Sequence, residues 1–161
     1  MKKIAVFASG SGTNLQSLID SIKSGYIKNA RIELVFSNKN DAYALKRAEK
    51  NGIKTYILKP ENFSSREEYD EEIARYLNKL NIDLVCLAGY MRILTRNFID
   101  LFNGKIMNIH PALLPSFGGK GMYGIKVHEA VINYGVKVSG CTVHFVDYGT
   151  DTGPIIIQKC V

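Results

Sequence analysis

Three polar residues are the strongest candidates for chemistry in this sequence. Asn108 and His110 lie at the end of an apolar run that stops at Pro111, and Asp151 lies in a later polar turn. An amide N–H can hydrogen-bond a developing oxyanion, and an imidazole moves protons near neutral pH. A carboxylate can accept a proton or orient that imidazole. The alternatives are that His110 is a structural histidine and that Asp151 belongs to an ordinary turn.

A glycine-rich segment, Ser9–Asn14, is the second candidate. It precedes a predicted helix, whose first N–H groups and partial positive charge favour an anion. The dinucleotide pattern G-x-G-x-x-G fails, because Leu15 occupies the position of the third glycine. No Gly-Lys-Ser/Thr follows, as a P-loop would need. The segment therefore indicates a site for a single phosphate, with a plain tight turn as the alternative.

A third segment, Leu87–Leu94 (LAGYMRIL), leaves an apolar run and enters a loop. Its methionine, isoleucine and leucine side chains could line a pocket for a flat ring, or could pack in the core. His128 and His144 are predicted to be structural. The acidic turn that holds Asp147 has no cluster of oxygen ligands at calcium-loop spacing, so no metal site is predicted.

Apolar runs of strand length alternate with helical patterns along the whole chain. This alternation predicts a doubly wound, mostly parallel α/β sheet with mixed strands at the C-terminal end. Capping boxes are predicted at Thr13 with Gln16, and at Ser64 with Glu67 or Ser65 with Glu68. The predicted strands are Lys3–Ala8, Arg31–Phe36, Lys54–Lys59, Ile82–Ala88, Lys105–His110, Gly140–Val146 and Pro154–Cys160, and the predicted helices begin near Thr13, Asp41, Ser65, Thr95 and Lys126.

The composition indicates one globular domain. The chain has 161 residues, of which 46% are apolar and 22% charged, and its net charge is +6. The basic residues are scattered, which favours small anionic substrates over a nucleic acid or a membrane. No apolar stretch approaches the length of a membrane span, so a cytoplasmic location is predicted. Cys86, Cys141 and Cys160 are predicted to be reduced, buried and inert.

The candidate segments together resemble the phosphoribosylglycinamide formyltransferases, a family of folate-dependent enzymes with a Rossmann-like formyltransferase fold. The likeness runs from Lys3 to the end of the chain and includes SGSGTNL from Ser9 and LAGYMRIL from Leu87. It also includes NIHPALLPSF from Asn108 and TVHFVDYGTDTGP from Thr142. The resemblance implies direct transfer of a formyl group from 10-formyltetrahydrofolate, the co-substrate, to the amine of glycinamide ribonucleotide, through a tetrahedral intermediate.

The resemblance also implies roles for single residues. Asn108 holds the formyl oxygen as it becomes an oxyanion. His110, protonated when the intermediate forms, stabilises it and assists proton transfer. Asp151 positions His110 and relays the amine proton through water. The ribose phosphate is implied to bind Gly12, Thr13 and Asn14, and the folate to bind Met91, Arg92, Ile93 and Leu94, with Arg66 near the carboxylate tail.

The chain departs from the family pattern in two places. The loop Gly118–Ile125 is longer than the shortest family versions, which affects contacts made by the loop. Family members normally continue past Val161 with a helical segment that helps to form the phosphate pocket. Residues 1–161 are therefore predicted to form a single formyltransferase domain without that segment, as a monomer or homodimer.

Other functions stay open at this point. Formyltetrahydrofolate hydrolase shares the Asn/His/Asp set, but its regulatory domain does not precede Lys3. Methionyl-tRNA formyltransferase is disfavoured, because the loop after Pro115 lacks its Arg-Gly-Ala-Ala run. A non-catalytic nucleotide-binding module is the alternative from another class, and an NAD-dependent dehydrogenase lacks the third fingerprint glycine.

Overall fold

All seven strands form one sheet in a computed structural model that describes residues 1–161. The spatial order is β3-β2-β1-β4-β5-β6-β7, with β1 to β5 parallel and β6 and β7 antiparallel to their neighbours. The predicted doubly wound sheet with mixed final strands is confirmed. The strands are β1 Lys2–Phe7, β2 Ala30–Ser37, β3 Lys54–Ile57, β4 Leu84–Leu87, β5 Ile106–His110, β6 Gly140–Phe145 and β7 Ile155–Cys160.

Five α-helices cover the sheet, and all begin within two residues of the predicted starts. A short 3₁₀ turn at Pro60–Asn62 was not predicted, since three residues carry no periodic pattern. No helix is long and apolar enough to cross a membrane. The helices are α1 Thr13–Lys23, α2 Tyr43–Lys50, α3 Arg66–Lys79, α4 Arg96–Leu101 and α5 Ile125–Tyr134.

Two apolar clusters, one on each face of the sheet, form the core. Successive side chains of β1 point to opposite faces. Ala5 and Phe7 enter a cluster of 17 buried residues under α3 and α4, and Ile4 and Val6 enter a cluster of 9 under α1 and α2. Burial on both faces explains why the central strands are continuous apolar runs.

The topology places a crevice beside the carboxyl end of β1. The chain runs from β1 through β2 to β3 towards one edge, and then returns to the other side of β1 with β4. Ligands of open α/β sheets bind at such a reversal of strand order. The loops after β1 and β4 and the end of β5 therefore meet at this crevice.

The capping prediction at Thr13 is wrong, whereas the one at Ser65 is half confirmed. Gly12, at φ 70°, takes the cap position of α1, and Thr13 is already helical. The Ser65 hydroxyl accepts the Glu68 N–H at 3.0 Å. The Glu68 carboxylate, however, accepts the N–H of Ser64 at 2.9 Å instead of that of Ser65.

The prediction of buried cysteines holds only in part for Cys86 and Cys141, which are both half-buried. Burial raises the pKa of the Cys86 thiol to about 11, which keeps it protonated and inert. Cys141 is partly exposed, and Cys160 is exposed on β7, so the prediction is wrong for Cys160. The reason is that β7 is an edge strand whose residues are all exposed.

Candidate active site

The structure brings Asn108, His110 and Asp151 together. Asn108 and His110 lie two apart on β5, so their side chains leave the same face. The Asn108 Nδ2 and His110 Nδ1 atoms are each 3.5 Å from a carboxylate oxygen of Asp151, which comes from the turn between β6 and β7. His110 is 3% exposed, so the cluster is largely shielded from water.

Asp151 lies in a left-handed backbone conformation, at φ 59°. Aspartate tolerates this region better than most residues. The Asp151 carboxylate accepts the Gly119 N–H at 3.0 Å. Burial raises the pKa of Asp151, but hydrogen bonds from His144 and Gly119 and the neighbouring histidines outweigh burial, so the pKa lies below its usual value. The carboxylate is therefore ionised at neutral pH.

Both ring nitrogens of His110 face acceptors. Nε2 lies 2.8 Å from the Phe117 carbonyl oxygen, and Nδ1 faces the Asp151 carboxylate. Both acceptors lack a proton to give, so the ring donates to both only as the imidazolium. The same geometry places the loop after β5 directly over His110.

His144, which the sequence predicts to be structural, lies beside this cluster. It lies opposite Asn108 across the β5–β6 ladder, with its Nε2 atom 3.0 Å from Asn108 Nδ2 and 3.7 Å from Asp151 Oδ1. Burial lowers the pKa of His144, but hydrogen bonds to Asp151 and to the Phe145 carbonyl outweigh it and raise the pKa. The sequence carried no signal for this position, because it does not show the register of two strands.

Asp147, in contrast, stabilises its own turn. Its carboxylate accepts the Gly149 N–H at 3.0 Å and the Thr152 hydroxyl at 2.7 Å. No group of three or more His, Cys, Asp or Glu side chains is arranged so that it could hold a metal ion. His128 is exposed on α5 and makes no hydrogen bond to the cluster.

The phosphate loop, Ser9–Asn14, is braced from behind by α2. The Gly10 carbonyl accepts the Ala44 N–H at 3.0 Å, and the Ser11 carbonyl accepts from Arg47 Nε at 2.9 Å. In a trans peptide the N–H points opposite to the carbonyl. The N–H groups of Ser11 and Gly12 therefore point away from α2, and neither donates within the chain.

Thr13 and Asn14 start α1 and are exposed, so their N–H groups are among the unpaired donors of its first turn. Together with the two outward amides of the loop, they form an anion-binding arrangement. The predicted phosphate residues Gly12, Thr13 and Asn14 are thus adjacent at one end of the crevice.

The apolar loop, Tyr90–Thr95, is held at both ends while two of its side chains are exposed. Met91 is 48% and Ile93 55% exposed. Leu94, at 6%, packs in the larger core cluster, so its side chain does not line the crevice. The guanidinium of Arg92 lies over the Tyr69 ring, 4.9 Å from the centroid.

Two side chains of α3 and one from the segment after β1 anchor this loop. Arg66 Nη2 donates to the Ile93 carbonyl at 2.7 Å, and the Asp70 carboxylate accepts the Thr95 N–H at 2.6 Å. The Ser9 hydroxyl accepts the Met91 N–H at 3.0 Å. Arg66 therefore contacts the apolar loop, next to the predicted folate site. Burial raises the pKa of Asp70 despite its bond to Thr95.

Comparisons with known proteins identify the family. The formyl transferase family matches residues 2–161. The chain is 48% identical over 161 residues to phosphoribosylglycinamide formyltransferase of Haemophilus influenzae, covering 100% of this chain and 73% of that protein. It is 45% identical over 159 residues to the human trifunctional purine biosynthetic protein adenosine-3, covering 99% of this chain but only 15% of the relative.

A solved structure, that of glycinamide ribonucleotide transformylase 1 from Symbiobacterium toebii, has the same fold. It superposes with a TM-score of 0.93 at 43% identity, covering 100% of this chain and 73% of that one. The family match, the identities and the shared fold agree with the Asn/His/Asp cluster at the crevice. The chain therefore belongs to the formyl transferase family.

Proposed function

We propose that this chain transfers the formyl group of 10-formyltetrahydrofolate to the amine of glycinamide ribonucleotide. The observation that carries the proposal is the place of the Asn108–His110–Asp151 cluster. It lies at the end of β5, next to β4, whose loop presents apolar side chains, and that loop contacts the phosphate loop through Ser9. A phosphorylated amine and a flat folate ring can therefore meet at the cluster.

The phosphate of glycinamide ribonucleotide binds the outward amides of the phosphate loop and the first turn of α1, at Gly12, Thr13 and Asn14. The pterin packs against Met91 and Ile93, with the backbone of the apolar loop reading its edge. These two side chains are the exposed apolar ones of the loop. Arg92 and the backbone of Leu94 complete the folate subsite.

Arg66 donates one N–H to the Ile93 carbonyl. A guanidinium carries five N–H donors. The remaining donors of Arg66 bind the carboxylate tail of the folate, which extends from the apolar loop.

The substrate amine attacks the formyl carbon, and a carbon–nitrogen bond forms as the formyl oxygen becomes an oxyanion. The side-chain amide of Asn108 stabilises that charge by a hydrogen bond. The His110 imidazolium stabilises it by donating its ring N–H. The intermediate collapses with cleavage of the bond to N10 of the folate. The amine loses one proton, which Asp151 accepts through water, and N10 gains one, so protons balance.

The location of His110 requires a movement of its covering loop. The Phe117 carbonyl occupies His110 Nε2 at 2.8 Å, so this nitrogen reaches the intermediate only when Phe117 withdraws. Asp151 keeps its contact with Nδ1 and holds the ring in place. The cytoplasmic location and the monomeric or dimeric state stay predictions.

The test is formyl transfer measured with both substrates, for the parent chain, for His110→Ala and for His128→Ala. His128 is an exposed histidine without a hydrogen bond to the cluster and serves as the matched control. We expect the parent and His128→Ala to turn over equally. Because general acid–base groups contribute roughly 10²–10⁴-fold, kcat should fall by about that factor in His110→Ala.

Three results would contradict the proposal. Release of formate at the same rate without the amine would assign the chain as a hydrolase. Binding of glycinamide ribonucleotide without turnover, in a parent chain that is folded, would assign it as a nucleotide-binding module. Loss of activity in His128→Ala equal to that in His110→Ala would refute the assigned site.

A further inference from the structure

We propose that Ser9 is a positioning residue, whose hydroxyl fixes the apolar loop against the rigid phosphate loop and thereby sets the distance between the two substrates. The proposal rests on the proposed function, because the two loops are its donor and acceptor subsites. Ser9 directly follows the buried end of β1 and is 6% exposed. It stands at the reversal of strand order, where the crevice begins.

Ser9 makes three hydrogen bonds to the ends of neighbouring strands. Its N–H donates to the Gly89 carbonyl at 3.0 Å, and its hydroxyl oxygen accepts the Met91 N–H at 3.0 Å. The hydroxyl proton is donated to Asn38 Oδ1 at 2.6 Å, just beyond β2. One side chain therefore links the carboxyl ends of β2, β1 and β4.

The bond to Asn38 gives the hydroxyl a fixed direction. A serine hydroxyl rotates freely and has one proton and two lone pairs. With the proton committed to Asn38, the lone pairs face the other way, where the Met91 N–H lies. Asn38 thus orients Ser9, and Ser9 orients the start of the apolar loop.

The two loops are not equally dependent on Ser9. The phosphate loop has its own brace, because α2 holds the carbonyls of Gly10 and Ser11. The apolar loop is tied at its far end by Asp70, but its near end at Met91 is tied by the Ser9 hydroxyl. Loss of the hydroxyl should therefore displace the folate subsite and leave the phosphate subsite in place.

This asymmetry predicts a split between the two Michaelis constants. In Ser9→Ala, the KM for 10-formyltetrahydrofolate should rise by about 5- to 10-fold, since the Met91 N–H and the Asn38 side-chain oxygen, both in part-buried hydrogen bonds, lose their partner. The kcat should fall as well, because misplacement of the donor by about 1 Å can cost roughly 10²-fold. The KM for glycinamide ribonucleotide should change by less than about twofold. A general folding defect would not separate the two substrates.

Two further variants complete the test. Asn38→Ala keeps the hydroxyl but frees it to rotate, so it should raise the same KM to a smaller extent. Ser17→Ala removes a hydroxyl from the exposed side of α1 and should leave both constants unchanged. Equal rises in both Michaelis constants, or no rise for the folate in Ser9→Ala and Asn38→Ala, would overturn the proposal.

Amide hydrogen exchange at Met91 gives a readout that needs no turnover. Exchange at Met91 should speed up in Ser9→Ala and stay slow in Ser17→Ala, while the core amides of β1 keep the parent's protection. Unchanged Met91 exchange in Ser9→Ala would refute the link itself. An inactive parent chain would refute the proposed function, whereas Met91 exchange would still decide whether Ser9 holds the loop.

Discussion

Replacement of Gly12 by alanine should destabilise the chain more than the same replacement at the other glycines with positive φ, because a Cβ at each of those meets no atom within 4 Å. Gly12 has φ 70°, and a Cβ there would lie 2.7 Å from the Ala44 Cβ and 2.8 Å from its Cα. The left-handed conformation costs an alanine roughly 1–2 kcal/mol. Forcing a methyl group against α2 costs about 1–3 kcal/mol more. We therefore expect a loss of about 2–5 kcal/mol in the free energy of unfolding.

Gly25→Ala is the matched control. Gly25 follows the other end of α1 at φ 74°, and a Cβ there meets nothing within 4 Å. Both variants carry the same backbone strain and the same loss of entropy in the unfolded chain. The difference between them isolates the close approach of the phosphate loop to α2.

The assay is urea unfolding of the parent and both variants, with thermal melts alongside. For a chain of this size each kcal/mol lowers Tm by roughly 2–4 °C, so Gly12→Ala should melt about 4–20 °C below the parent. Gly25→Ala should lose about 1–2 kcal/mol. If Gly12→Ala loses no more than Gly25→Ala, the contact with Ala44 does not constrain the loop, and the reasoning is wrong.

Two further predictions concern the buried polar groups. His144→Ala removes the hydrogen-bond partner of Asn108. If that loss costs about 1.4 kcal/mol in the transition state, kcat for formyl transfer should fall roughly 10-fold with KM little changed. An unchanged kcat would show that His144 is structural. Burial raises the pKa of Asp70, so protonation of its carboxyl favours the folded state. This stabilisation is fully present below the pKa of the unfolded chain, and it is lost as the pH rises through the pKa of the folded chain. Asp70→Asn should therefore gain stability relative to the parent between pH 4 and pH 8 in urea unfolding, and a gap that narrows or reverses as pH rises would contradict this.

The sequence predicted the order and type of the elements, because these depend on local periodicity. The run of β4 is continuously apolar, as expected of a central strand. Leu15 and Ile19 of α1 have helical spacing, and both are buried as expected. Thr13 was wrongly predicted to cap α1, because either a glycine in the left-handed conformation or a serine or threonine can occupy the cap position of a helix. Only the backbone conformation distinguishes them.

The candidate site was predicted in part. The types of Asn108, His110 and Asp151 indicated their chemistry, and the alternation of β5 placed the first two on one face. The alternation does not extend to Asp151, which is 41 positions beyond His110 and reaches it through the turn after β6. The resemblance to the formyltransferase family implied that Asp151 acts together with Asn108 and His110.

By itself, the sequence determined the α/β architecture, the glycine-rich loop after the first strand and the residues able to stabilise an oxyanion. These features follow from the period of apolar residues and from side-chain chemistry, both of which are local. The tertiary structure alone decided that His144 faces Asn108, that α2 braces Gly12 and that Ser9 holds Met91. Each of these contacts joins residues that lie far apart along the chain, and strand register and helix packing bring them together only when the whole sheet has formed.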